Sequence, residues 1–372
     1  MICCTSSSSR CALALALAVS LGGCAGTRAK AGLPRAAPAK LALFPLLNLS
    51  GGMAPVREVG RALEQSLRLH GIELVDADAQ EQFLARHRIR YTGGIDREGA
   101  EAAGAELGAS GVLLASLDLY QAGVPPSVAL TLRLVSADGA AKVLWIDGAG
   151  RTGDDAPGLF DLGLVNDATA LQADLMDRLS TSLAAFLDHR KASAGCAGGG
   201  RFAPRASFRS TALDPKASYT VAVLPFLNES TRRNAGEVLA NTFLRELHTA
   251  AGLRVVEPGL VRDEMLRFRI ILEGGVSLDN ARLMLELLQA DLVLTGTVLA
   301  YDDAIGGGNP RVHFTAVLLD RKNNEVVWQS TSHGLGDDGV FFFEQGKIGT
   351  ANELACRLVK GAVDRMLEKR AN

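Results

Sequence analysis

Residues 221–230 read VAVLPFLNES, and residues 41–50 read LALFPLLNLS. Ala, Pro, Leu, Asn and Ser coincide at an offset of 180. Beyond these stretches, Gly71 to Tyr120 aligns with Gly252 to Tyr301 at a constant offset of 181, without a gap. Inside that alignment, Arg86-His87-Arg88-Ile89 matches Arg267-Phe268-Arg269-Ile270, and Gly93-Gly94-Ile95 matches Gly274-Gly275-Val276. The two tryptophans, Trp145 and Trp328, fall at offset 183. A register kept over this length marks a duplicated domain, with a period far above the roughly 20–50 residues of solenoid repeats. The copies span 40–188 and 219–370. Residues 189–218, rich in Gly, Ala, Ser, Pro and Arg and without periodicity, read as a linker.

Each copy yields the same predicted element order. Short apolar strands at 41–47 and 221–227 are interrupted by Pro45 and Pro225, and a proline, which cannot donate to a ladder, belongs at a strand end or edge. An amphipathic helix follows. In the first copy Pro55 suits its first position, with Val56, Val59, Leu63 and Leu67 on one face. In the second, Asn234 and Glu237 read as a capping pair. Short strands at 73–75 and 254–256 precede helices at 79–88 and 260–269, then at 96–107 and 278–288. The runs 111–119 and 291–300 are continuously apolar, as central buried strands require. Strands at 128–135 and 312–319 turn through Asp138-Gly139 and Asn323-Asn324 into strands at 143–146 and 326–329. Helices at 166–187 and 350–369 close the copies. The order β-α-β-α-α-β-β-β-α predicts α/β folding as mixed-sheet α+β layers, in two tandem similar domains.

The 372 residues are 48% hydrophobic and 22% charged, which is globular composition, and the net charge of −2 leaves no basic field for nucleic acid. Residues 1–10 are polar and end in Arg10, and residues 11–21 form an apolar run too short to span a bilayer but suited to a signal-peptide core. Leu21-Gly22-Gly23-Cys24 then resembles the bacterial lipoprotein signal, cleaved after Gly23, with Cys24 as the diacylated first residue of the mature chain. Ala25 rather than Asp follows it, which by the same resemblance implies the periplasmic face of the outer membrane, with 24–39 as a tether. Of the remaining cysteines outside the signal, only Cys196 and Cys356 could pair, and their spacing does not decide whether they do.

The run at 221–230, the segment 290–298 (ADLVLTGTV) followed by Tyr301, and Val326-Val327-Trp328 resemble the opening, central and last strands of the curli-secretion-channel lipoprotein superfamily. That architecture is shared by the N-terminal domain of the Tol-system propeller protein, by peptidoglycan-synthase-activating lipoproteins and by an exopolysaccharide-export lipoprotein. The resemblance covers the second copy well. The first departs from it, with Ala115 in place of Gly296 and Asn48-Leu49-Ser50 in place of Asn-Glu-Ser. It implies a fold and an envelope compartment. Its partners would be envelope or secretion proteins, or further copies of the chain. Hairpins able to build a membrane barrel need about 9–11 residues per strand. The links 121–127 and 302–311 are short. Residues 148–164 and 331–347 carry paired aspartates and do not alternate. No membrane barrel is expected.

Candidate chemistry is sparse. Gly148-Ala149-Gly150-Arg151-Thr152-Gly153 and Gly334-Leu335-Gly336-Asp337-Asp338-Gly339 match G-x-G-x-x-G but follow the last strand of each copy instead of linking a first strand to a helix, so they read as flexible loops. The six histidines lack zinc-ligand spacing, and no nucleophile–base pair or cofactor motif stands out. Neither an enzyme nor a cofactor is expected. Arg267 and Arg269, mirrored by Arg86 and Arg88, and the triplet Phe341-Phe342-Phe343 are candidate interaction residues. The sequence thus supports a non-enzymatic interaction module in envelope biogenesis or export, or an oligomeric component of a curli-like or polysaccharide export channel. Substituting Cys24→Ser should release a soluble periplasmic form or leave uncleaved precursor. A mutant that still fractionates with outer membrane after a high-salt wash would remove the lipid anchor from the account.

Overall fold

The computed structural model describes residues 40–155, 163–190, 195–197, 200–270, 277–303, 308–340 and 346–368. The first copy runs β1 (Leu41–Leu43), β2 (Leu47–Asn48), α1 (Val56–Leu69), α2 (Ala77–Arg86), α3 (Arg97–Leu107), β3 (Gly111–Gln121), β4 (Ser127–Ser136), β5 (Val143–Thr152) and α4 (Ala168–Leu187). After β6 (Ala206–Arg209), the second copy runs β7 (Tyr219–Val223), β8 (Leu227–Asn228), α5 (Ala235–Thr249), β9 (Leu253–Val255), α6 (Pro258–Arg267), α7 (Leu278–Leu287), β10 (Leu292–Asp302), β11 (Arg311–Asp320), β12 (Glu325–Leu335) and α8 (Ala351–Leu367). Both copies have the expected mixed α+β order, except that the short strand expected at 73–75 is only an isolated bridge between Leu41 and Leu74. The first sheet is ordered β1-β3-β4-β5 and the second β6-β12-β11-β10-β7-β9, with β2 and β8 pairing β3 and β10. In both, the opening strands lie parallel to a central strand that starts an antiparallel meander.

The repeated motifs have structural work. Pro45 and Pro225 fall where the opening strand breaks and resumes. Asn48 closes a local turn: its Oδ1 accepts from Ser50 N (3.0 Å) and Oγ (2.7 Å), and its Nδ2 donates to Gly52 O. Asn228 repeats this with Ser230 and Arg232. The Arg-x-Arg-Ile motif is a helix stop. Arg88 and Arg269 adopt left-handed φ of 55° and 53°. Ile89 N then returns to Leu84 O, and Ile270 N to Met265 O. Two capping expectations are corrected. Pro55 is the N-cap of α1 and not its first residue, and Asn234 caps α5 in a left-handed conformation without a side-chain hydrogen bond.

Side chains alternate across the sheets. Leu113, Ala115 and Leu117 of β3 pack with α1 and α4, while Val112 and Leu114 pack with α2 and α3. This three-layer burial accounts for the unbroken apolar run of the central strand. The expected glycine loop at 148–153 is instead largely strand β5, and the closing hairpins are longer than expected. Its glycines serve close packing: a Cβ on Gly150 would come within 2.8 Å of Thr350 Oγ1 at the start of α8.

The stretch read as a linker contributes β6, antiparallel to the edge of β12, and Cys196, which is disulfide-bonded to Cys356 on α8. Both cysteines are buried. The bond closes a loop of 160 residues, so by the chain-entropy argument it confines the unfolded chain strongly. Cys356→Ser should lower unfolding free energy by about 2–5 kcal/mol, read by chemical denaturation under oxidising conditions. An unchanged midpoint would show that the tertiary packing holds the segment without the bond.

Candidate functional site

The second copy's helices lie on the first copy's sheet. In the first copy, α2 and α3 cover only part of one sheet face. The remainder carries Ser116, Asp118, Ala129, Thr131, Arg133, Ile146, Gly148 and Gly150, nearly all buried. Leu49 and Ile146 belong to the second copy's hydrophobic core. Helix α5 is accordingly buried on almost every side, at 10 of its 15 residues, whereas its counterpart α1 buries only Val59, Leu63 and Leu67.

Four arginines hold this seam. Arg133 on β4 donates through Nε to Glu257 Oε2 (2.8 Å) and through Nη2 to Oε1 (3.1 Å) and to Gly93 O (2.7 Å). Glu257 is the N-cap of α6, and its Oε1 also accepts from Gly259 N and Ile95 N. Backbones meet closely beside it: a Cβ on Gly94 would stand 2.6 Å from Gly259 N. Arg245 on α5 pairs with Asp147 at 2.8 Å. Arg232 pairs with Asp303 at 3.0 Å, covers the Tyr301 ring and donates to Asp118 O. Arg262 lies 4.2 Å over the Tyr91 ring. Burial pushes the Asp118 carboxyl up to about 6, against hydrogen bonds from Thr131 and Ser116 and the charges of Arg232 and Arg133. Burial likewise lowers the Arg245 guanidinium, against the attraction of Asp147.

Among the described residues, the corresponding face of the second sheet is uncovered. Its strands alternate between buried and accessible positions, where those of the first sheet are buried on both sides. Thr297, Leu299, His313, Thr315, Thr331 and His333 stand where the first copy has Ser116, Asp118, Ala129, Thr131, Gly148 and Gly150. Leu299 is 38% exposed, and Phe208 on the neighbouring β6 is 55% exposed. His313 and His333 face each other across β11 and β12 with ring centroids 5.5 Å apart. Sequence reasoning missed this surface, because threonines and isolated histidines alternating with apolar residues look the same on a covered face and an open one.

Arg267 is exposed at the end of α6 and pairs within its own helix with Asp263 (3.2 Å) and Glu264 (3.4 Å). Arg269 is the left-handed stop residue after it. Leu21, Gly22, Gly23, Cys24 and Phe341, Phe342 and Phe343 lie outside the described residues. Among the described residues no group of three or more His, Cys, Asp or Glu side chains could hold a metal, and no helix is long and apolar enough to cross a membrane.

Removing one member of the Arg133–Glu257 pair strands the other in a dry seam. Arg133→Met should cost about 3–5 kcal/mol in denaturant unfolding, and adding Glu257→Gln, which keeps an acceptor for Ile95 N and Gly259 N, should recover much of it. A double mutant as unstable as the single one would show that the loss comes from Arg133 packing alone.

No family model matches the chain, and no curated protein matches it. It is similar in structure to the PelC dodecamer from Paraburkholderia phytofirmans, at 19% identity over 44% of this chain and 97% of that one, with a TM-score of 0.32. It is also similar to lipoprotein GNA1162 from Neisseria meningitidis, at 16% identity over 40% and 99% of the two chains, with a TM-score of 0.28. The LpoB C-terminal domain from Escherichia coli is similar at 12% identity over 33% and 88%, with a TM-score of 0.27.

Proposed function

We propose that the chain is a non-enzymatic envelope lipoprotein, anchored through Cys24 to the periplasmic face of the outer membrane, that serves as an assembly module in envelope biogenesis or export. One observation carries the reading: a sheet face that the chain covers in its first copy stays open in its second. Within the chain, α5 and α8 of one copy pack on the sheet of the other. Their counterparts α1 and α4 keep their outer sides exposed. The open sheet face and the outer sides of α1 and α4 are therefore the two unused halves of one interface. The second copy's face then receives α1 and α4 of another molecule.

Capping chemistry fits that docking. Inside the chain, Thr350 at the N-cap of α8 meets Gly150. In the repeated contact the equivalent N-cap, Asp167 of α4, would meet His333 and its neighbour His313. A heterologous contact of this kind propagates head to tail and, if the rotation closes, forms a ring. The alternative reading, a component of a curli-like or polysaccharide export channel, rests on such a ring, and conductance across planar bilayers distinguishes it.

The full chain in detergent should sediment as concentration-dependent oligomers. Leu299→Arg, at an exposed position, should shift it to monomers with melting temperature unchanged within about 2 °C, because substitutions away from packed features cost little. A wild-type chain monomeric at all concentrations, or a variant that assembles like wild type, would overturn the docking.

A further inference from the structure

A cavity of about 340 Å³ opens where the two copies meet beside β5. Its walls carry five cationic side chains: Arg151 and Arg178 from the first copy, and Arg245, Lys347 and Arg357 from the second. Two carboxylates line it as well, Asp155 and Glu353. Both are already engaged. Asp155 accepts from Thr152 N at 3.0 Å, and Glu353 accepts from Arg357 Nε at 3.0 Å. Outside the lining, Asp147 holds Arg245 at 2.8 Å, and Asp174 lies 4.0 Å from Arg151.

Small residues also border it. Gly148, Ala149 and Gly150 of β5, with Gly195, Ala197 and Gly349 opposite, present little or no side chain to the space. Those of β5 belong to the glycine motif of 148–153 and pack closely: a Cβ on Gly148 would meet Thr131 and one on Gly150 would meet Thr350. Arg245 is buried, pairs with Asp147, and donates to Gly195 O at 3.3 Å and to Cys356 Sγ at 3.5 Å. Arg178 lies near enough for its like charge to disfavour the Arg245 guanidinium further. Clustered guanidinium groups in a partly enclosed space favour an oxyanion that can accept paired N–H donors. The volume matches an anionic group carried on a molecule of about sugar size.

We propose that this cavity binds a small soluble oxyanion, a phosphate- or carboxylate-bearing molecule, held by Arg178 and Arg245 from opposite sides of the seam. Such a ligand touches both copies and therefore ties their packing to its own concentration. The binding does not depend on self-assembly or on lipid anchoring.

The full chain, in low-salt buffer, is titrated by calorimetry with pyrophosphate, with trigalacturonate and with neutral maltotriose. Saturable binding of one equivalent of pyrophosphate or trigalacturonate, weakened several-fold by 0.5 M NaCl, is the expected result, and which of the two binds assigns phosphate or carboxylate as the source. Maltotriose should give no heat. Arg178→Glu, on an exposed part of α4, should weaken binding at least tenfold without lowering the unliganded melting temperature, since it removes a like charge near Arg245. Lys347→Glu, outside any helix or strand, provides a second variant with the same expectation. Absence of saturable binding at millimolar concentration by both anions, equal binding of maltotriose, or unaltered affinity in both variants would each overturn the proposal.

Discussion

The buried Arg133–Glu257 pair is the contact on which the arrangement of the two copies depends. Neither charge is tolerable alone in a dry seam, and a buried pair offsets its desolvation only when nearly every donor and acceptor is used. Here Glu257 receives two guanidinium donors and two backbone N–H groups, and Arg133 also reaches Gly93 O. The carboxylate caps α6, so the same atoms that join the copies start a helix of the second one. Gly94 and Gly259 let the backbones close to a distance at which that network can form.

The duplication is unequal where it matters. Arg133 is matched in the second copy by Val317, Asp118 by Leu299, and Glu257 by Asp76 in the first. The charged groups of the seam therefore occur once per chain, and the open face of the second sheet carries its two histidines and, beside His313, the exposed Arg311–Asp302 pair. Internal packing and any docking between molecules can thus share a geometry while differing in chemistry. The internal seam is held by buried ion pairs. The open face offers apolar contact at Leu299 and Phe208 and a pair of imidazoles.

The seam also leaves space. Covering a sheet edge and part of its face with helices from another copy cannot fill every volume, and on the β5 side the gap is bordered by arginines and glycines. Its walls come from both copies. No segment of fewer than about 200 residues contains all of its cations, which run from Arg151 to Arg357.

Local order was legible in the sequence because it rests on local physics. Prolines that break strands, an asparagine that closes its own turn, a left-handed residue that ends a helix and the alternation of apolar positions each act within a few residues, and a duplicated pattern displays them twice. Capping at Pro55 and Asn234 departed from expectation because neighbouring turn geometry, not residue type, set the backbone there. The sequence by itself therefore determined most of the element order and the duplication. Only the tertiary structure decided that one copy's helices cover the other's sheet, that Cys196 reaches Cys356, that the glycine motif is a strand lining a cavity, and that one of two equivalent faces stays open. Most of those outcomes depend on contacts between residues far apart in sequence, such as the 124 positions separating Arg133 from Glu257, where no periodicity or spacing carries information about the partner.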